Sequence, residues 1–176
     1  MLSSGAQAVA AGRDHSMVLN KDGSLWATGT NNYGQLGDGT TIMRSHFIQV
    51  VSRDVKAVAT GGYHSMILKQ DGSVWSTGGN SFGQLGMGLL FEHNFAFQNV
   101  IDDGVDSLAA GDSHSLVVLQ DGSVWATGRN LFGQLGDGST HAKSSFTPVV
   151  TSGARIVAAG YSHSMVLKQD GSVWAT

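Results

Sequence analysis

His15-Ser16-Met17-Val18-Leu19-Asn20-Lys21-Asp22-Gly23-Ser24-Leu25-Trp26-Ala27-Thr28 is written four times in this chain. It returns, with small changes, as His64 to Thr77, His114 to Thr127 and His163 to Thr176, so the four histidines stand 49, 50 and 49 residues apart. Trp26, Trp75, Trp125 and Trp174 keep the same rhythm. A period near 50 marks a repeat architecture, in which a residue present in every unit builds the unit. Function is therefore sought where the units disagree.

Each unit reads as short strands. Asp-Gly between two β-rich runs (Asp22-Gly23, Asp71-Gly72) signals a tight hairpin, because glycine accepts the left-handed backbone at no steric cost. His15–Leu19 and Ser24–Thr28 are its two arms. Alternation sends His15, Met17 and Leu19 to one face and Ser16 and Val18 to the other; apolar residues on both sides predict a sheet covered on both faces. Upstream lies a strand of small residues, Ala6–Ala11, repeated as Val55–Thr60, Val105–Ala110 and Ala154–Ala159, each closed by a glycine. Small side chains suit strands crowded around an axis. Downstream, Gly29, Asn31 and Tyr33-Gly34-Gln35-Leu36-Gly37 recur around Phe82 to Gly86 and Phe132 to Gly136, predicting a loop pinned by glycines over one buried leucine. A fourth strand is expected near Phe47–Val51, Phe97–Ile101 and Phe146–Val150. No helical period appears, and the class is all-β.

Composition narrows the functions. A formal charge of −3 offers no basic field for a phosphate backbone, so direct nucleic-acid binding is not expected. The absence of cysteine removes disulfides and thiolate metal sites. No run approaches the roughly 18 apolar residues that span a bilayer. Met1–Gly12 contains Ala8-Val9-Ala10, faintly like a signal-peptidase site, but it has no basic or long apolar region before it, and Ala6–Gly12 is in phase with the repeat. It reads as a strand, and a cytoplasmic or nuclear setting is favoured.

Period, tryptophan and Gly-Gln-Leu-Gly together resemble the repeats of the regulator of chromosome condensation family. The pattern is matched three times in full and a fourth time up to Thr176. The resemblance implies a β-propeller, seven-bladed in typical members, of four-stranded antiparallel blades. The units run about 5–53, 54–103, 104–152 and 153–176, the last incomplete: fifteen strands, about three and a half blades, an open partial ring with an exposed edge prone to self-association. Members of the family include nucleotide exchange factors for Ran, a plant UV-B receptor, modules of giant ubiquitin ligases and bacterial secreted inhibitors.

Catalytic and cofactor readings fail on the residues. The four aligned histidines recur in every unit without carboxylate or thiolate partners at ligand spacing; they predict buried imidazoles bonded to neighbouring backbone, not a metal ring. Gly34-Gln35-Leu36-Gly37-Asp38-Gly39 lacks the Gly-Lys-Ser/Thr ending of a phosphate loop. Asp38 and Asp137 are single carboxylates, too few for calcium. The tryptophans sit in the third strand and not after the glycine, where the light receptor carries its own, so they read as packing between blades. No enzyme activity, metal or cofactor is expected.

Two variable regions remain as candidates for a protein partner. The turns between the first and second strands read Arg13/Asp14, Gly62/Tyr63, Asp112/Ser113 and Tyr161/Ser162; Arg13, Asp14, Tyr63, Asp112 and Tyr161 are the residues picked out there, tyrosine and arginine being frequent interface anchors. In the second unit the polar turn Asp38-Gly39-Thr40-Thr41 becomes Met87-Gly88-Leu89-Leu90-Phe91, one residue longer, and Leu89, Leu90 and Phe91 have no repeat-based reason to be buried. Non-catalytic protein binding is the leading expectation. Nucleotide exchange on a Ran-like GTPase is the alternative, although no unit carries a long insertion to act as a wedge. A secreted inhibitor would require a leader.

Overall fold

The computed structural model describes residues 5–176; Met1–Ser4, the start of the stretch weighed above as a leader, lie outside the described residues. Four antiparallel sheets follow one another along the chain, and no helix occurs among the described residues. The first unit holds β1 (Ala6–Ala11), β2 (His15–Asn20), β3 (Leu25–Gly29) and β4 (Arg44–Val51). The second holds β5 (Val55–Thr60), β6 (His64–Lys69), β7 (Val74–Gly78) and β8 (Asn94–Ile101). β9 (Val105–Ala110), β10 (His114–Leu119), β11 (Val124–Gly128) and β12 (Lys143–Val150) make the third. β13 (Ala154–Ala159), β14 (Ser164–Lys168) and β15 (Val173–Ala175) make a three-stranded fourth. Each sheet is a simple meander in chain order. The innermost strands β1, β5, β9 and β13 stand side by side, as the small residues of these strands allow. The sheets form an open, partial propeller.

The hairpin register repeats from unit to unit: His15 faces Gly29 and Leu19 faces Leu25, as His64 faces Gly78 and Leu68 faces Val74. Gly23, Gly72, Gly122 and Gly171 all adopt positive φ at the Asp-Gly corner, and the preceding aspartate accepts a hydrogen bond from the serine amide that follows (Ser24 N to Asp22 Oδ1, 2.9 Å). The fourth strand of each of the first three blades starts three residues earlier than expected, at Arg44, Asn94 and Lys143. After a bulge these residues pair with Gly29, Gly78 and Gly128, and Thr28 Oγ1 donates to Arg44 O at 2.8 Å.

Burial occurs between units. Met17, Leu19, Leu25, Ala27 and Leu36 of the first unit pack with Val55 and Ile67 of the second, where Trp75 and Phe97 close the edge. Met66, Leu68 and Val74 pack in the same way with Val105 and Val117, edged by Trp125 and Phe146. Leu116, Val118, Val124, Ala126 and Leu135 do so with Ala154, Val157 and Val166. A single sheet has two apolar faces and covers neither alone, so each blade is stable only against its neighbours. Trp75 and Trp125 are inter-blade residues, as expected, whereas Trp26 joins no inter-blade cluster and Trp174 is exposed; each of the first three indole N–H groups donates to the serine two residues earlier.

The repeated histidine corrects one expectation. Its partner is a serine hydroxyl of the next blade rather than backbone: His15 Nε2 to Ser65 Oγ, 2.8 Å; His64 to Ser115, 2.9 Å; His114 to Ser164, 2.9 Å. Each serine donates its own hydrogen to a glutamine carbonyl (Ser65 to Gln35 O, 2.8 Å; Ser115 to Gln84 O, 2.8 Å; Ser164 to Gln134 O, 2.6 Å). The hydroxyl hydrogen being spent, the imidazole must donate from Nε2, and Nδ1 is left bare; the Nδ1 atoms of all three histidines are buried without a partner. Burial disfavours the imidazolium and lowers the pKa to about 4 at His15, about 3 at His64 and about 4 at His114. His163 faces no such serine among the described residues and is exposed, so β14 begins at Ser164 and not at the histidine.

Candidate protein-interaction surface

The histidine–serine ties fix the turns immediately before β2, β6, β10 and β14, and these turns all lie at one end of the blades. Gly62 shows how tightly they are set. Its amide donates to Asp112 O at 3.0 Å, and a Cβ on Gly62 would stand 2.5 Å from Asp112 Oδ1. Only glycine lets the second and third turns approach this closely.

Four of the five turn residues singled out in the sequence meet here. Arg13, Tyr63, Asp112 and Tyr161 line a cleft of about 240 Å³, together with Tyr33, Phe82 and Arg129. Arg13, Asp112 and Tyr161 also border a wider depression of about 450 Å³ along the axis, floored by Gly12, Gly61, Gly111 and Gly160. Asp14 does not line the cleft; its carboxylate is exposed, 3.9 Å from Arg13 Nε. The Asp112 carboxylate accepts the Ser113 hydroxyl at 2.9 Å.

The cleft is walled by rings and guanidinium groups. The Arg13 guanidinium carbon lies 5.3 Å from the Tyr63 ring centre. Tyr33 and Tyr63 are 5.1 Å apart at 60°, and Tyr33 meets His93 edge-on at 5.1 Å. Opposite, Arg129 is held between Phe82 (5.2 Å) and Phe132 (5.7 Å). Five of these residues were not foreseen: Tyr33, Phe82, His93, Arg129 and Phe132. Arg129 carried a signal, since its counterparts are Thr30 and Gly79 and the units therefore disagree there. The aromatics carried the opposite one. They recur at one position, which argued for a packing role, yet Tyr33, Phe82 and Phe132 are all exposed.

The apolar loop of the second unit joins this surface through His93. In the first unit the loop is organised by a buried asparagine: Asn31 Oδ1 accepts from Leu36 N (2.9 Å), and Nδ2 donates to Asp38 (3.0 Å) and to Thr40 O (2.9 Å). Asp38 is clamped by Arg44 at 2.8 and 2.6 Å. Burial works to raise the Asp38 pKa, but hydrogen bonds from Thr40, Arg44 and Asn31 outweigh it and hold the carboxyl below its usual value. Asp137, Ser139 and Lys143 repeat the arrangement around Asn130. These single carboxylates are thus taken up by cations of the chain itself. In the second unit Met87, Leu89 and Asn94 stand at the three clamp positions. Asn80 Oδ1 still accepts from Leu85 N (3.0 Å), but Nδ2 is left with Leu89 O (3.0 Å), and the Phe91 amide (to Asn80 O, 3.0 Å) and the His93 ring (Asn80 N to Nδ1, 3.2 Å) hold the rest of the loop. Leu89, Leu90 and Phe91 are 48%, 46% and 72% exposed, and Phe91 adopts φ of 63°, a region that disfavours bulky residues. Phe95, which replaces Ser45 and Ser144, lies over Gly34, where a Cβ would come within 2.5 Å of Phe95 Cα.

Among the described residues no group of three or more histidine, cysteine, aspartate or glutamate side chains could hold a metal ion, and no helix is long and apolar enough to cross a membrane. What the surface offers is rings, guanidinium groups and an exposed aliphatic loop.

Comparison with known proteins gives the same architecture. No relative among the curated proteins matches the chain. Among solved structures, Prp20p of Saccharomyces cerevisiae superposes with a TM-score of 0.87 at 26% identity, over 99% of this chain and 46% of that one. The same yeast protein bound to Kap60 gives 0.82 at 27%, over 99% and 44%. Human WBSCR16 gives 0.83 at 27%, over 97% and 46%. The chain thus spans less than half the length of these proteins. The model of the regulator of chromosome condensation (RCC1) repeat matches residues 6–35, 55–84 and 105–134, and a second model of that repeat matches 22–68 and 121–167. With more than half of its residues matched and the blades in place, the chain belongs to the regulator of chromosome condensation repeat family.

Proposed function

We propose that this chain is a non-catalytic protein-interaction module whose partner docks on the turn face around Arg13, Tyr63, Asp112 and Tyr161. One observation carries the reading: residues that differ in every unit converge with Tyr33, Phe82 and Arg129 on a single cleft. Tyrosine and arginine in a recess, at the centre of a surface ringed by less engaged residues, are the usual anchors of a protein interface. The rigid inter-blade ties hold these side chains in place before binding, which reduces the ordering cost of association.

The test is a Tyr63→Ala/Tyr161→Ala variant. It should fold, with an unchanged far-UV spectrum and a melting point within a few degrees of the parent. It should also lose the proteins that co-purify with the parent from an extract. Retention of all of them would refute the face as the docking site.

A second reading rests on the likeness to Prp20p, whose reported binding properties concern Gsp1p and histones. On this reading the chain regulates nucleotide exchange on a Ran-like GTPase. Release of a fluorescent guanine nucleotide from such a GTPase, accelerated by the chain, would support it; an unchanged rate would dismiss it. Self-association belongs to the same proposal. The four sheets are not joined to one another by strand pairing, and edge strands left unpaired in this way can pair with a second copy.

A further inference from the structure

We propose that Arg129 is the recognition point for a carboxylate side chain, so that the partner presents an acidic segment to the turn-face cleft; this rests on the reading of that face as the docking surface. Arg129 is peculiar to the third unit, the matching positions being Thr30 and Gly79. Its guanidinium carbon lies 5.2 Å from the Phe82 ring centre and 5.7 Å from that of Phe132, so it is held by the faces of two rings contributed by neighbouring blades. Ring faces fix a guanidinium electrostatically without using any of its N–H donors.

Those donors are unspent. Among the described residues the Arg129 side chain makes no hydrogen bond and no ion pair, whereas Arg44 and Lys143, which open β4 and β12, are paired with Asp38 and Asp137. Its Nε is buried with no acceptor, while the residue as a whole is only partly buried. A buried N–H without a partner is costly to maintain in a folded protein. An ordered, ring-stacked, unpaired guanidinium is the arrangement that a planar acceptor completes, since its fork of parallel N–H groups matches the two oxygens of a carboxylate.

The surroundings select the rest of the ligand. Arg13 places a second guanidinium in the same cleft, 5.3 Å from the Tyr63 ring centre, and its one ion pair among the described residues is with Asp14, 3.9 Å away and exposed. Asp112, the one acidic residue lining the cleft, is engaged by the Ser113 hydroxyl. The cleft therefore carries two cations against one anion in a chain whose formal charge is −3. The same cleft is lined by Tyr33, Tyr63, Phe82 and Tyr161, which suit apolar side chains flanking the acid. An extended segment alternating acidic and apolar residues fits both. A free phosphate ester would leave the rings without partners in a recess of about 240 Å³, and a nucleic-acid backbone would meet a chain whose formal charge is −3.

The probe is a short fluorescein-labelled peptide in which glutamate alternates with leucine, compared with a twin carrying glutamine for every glutamate. Anisotropy titration of the whole chain should show the glutamate peptide bound and the glutamine twin weaker by more than about tenfold, the scale expected when one member of an interfacial charge pair is removed. Affinity for the glutamate peptide should fall as salt is raised. Arg129→Gln should abolish the preference, and Arg129→Lys should restore only part of it, because the charge returns without the fork. Should Arg129→Gln fail to fold, the peptide pair and the salt series on the parent still decide. Equal binding of the two peptides, lost on Tyr63→Ala but indifferent to Arg129→Gln, would overturn the carboxylate assignment and leave the docking face standing. No binding of either peptide would count against both. Tighter binding of a single-stranded oligonucleotide than of the glutamate peptide would overturn the acidic-segment assignment outright.

Discussion

At the scale of single residues, the histidine–serine–glutamine relay accounts for the letter that recurs most rigidly. Ser115 accepts from His64 and donates to Gln84 O, with every participant buried. Ser115→Ala should cost about 1–3 kcal/mol, the usual penalty for a buried group left without its partner, measured as a shift in the denaturant midpoint. The same relay makes stability depend on pH. Histidine in the unfolded chain titrates near 6.5, and the folded values are about 4, 3 and 4 for His15, His64 and His114. Between 6.5 and those values the unfolded state binds more protons, so stability falls as pH falls through this window and is insensitive to these groups above it. Melting temperature should decline from pH 7 to pH 5, and less steeply in a His64→Gln variant. A flat profile would contradict neutral, buried imidazoles. The sequence disclosed that these histidines are structural, because they recur without ligand partners. It did not disclose the partner, because Ser65 lies 50 residues from His15 and only blade stacking brings them together.

At the scale of elements, the second loop departs from its neighbours by three coordinated replacements. Asp38, Thr40 and Arg44 form an ion-paired clamp, and Met87, Leu89 and Asn94 cannot. The sequence exposed the apolar substitution at once, but it concealed that Arg44 and Asn94 belong to the same device, since both fell in what reads as loop and proved to open a strand. Two outcomes are expected. Limited proteolysis should cut within residues 88–93 before it cuts either matching loop. Phe91→Gly should leave the fold intact and stabilise it by up to about 1 kcal/mol, since φ of 63° is free to glycine and strained for phenylalanine. If light scattering shows that replacing Leu90 and Phe91 by polar residues unfolds the chain and leaves its association unchanged, the loop is a packing element and not a contact surface.

At the scale of the whole molecule, stacking of the blades does what no single unit can: it places four dissimilar turns at one end of the sheets and leaves the hairpins at residues 20–23, 69–72 and 119–122 at the other. The fold was legible because period, Asp-Gly corners and Gly-Gln-Leu-Gly all point to one architecture. The turn face was legible in part. Arg13, Tyr63, Asp112 and Tyr161 vary between units and were found by that variation, whereas Tyr33, Phe82 and Phe132 recur and were hidden by it. The proposed docking on the turn face makes direction along the blade the line between function and scaffold, and one measurement tests it. A photo-activatable phenylalanine analogue is placed at Tyr161 on the turn face in one variant and at Gln120 in the opposite hairpin in another, and each is irradiated in extract. Docking on the turn face predicts a discrete cross-linked partner from the Tyr161 position, competed away by the unlabelled parent but not by Tyr63→Ala/Tyr161→Ala, and none from Gln120. Cross-linking from Gln120 alone, or competition by the double variant as strong as by the parent, would contradict it.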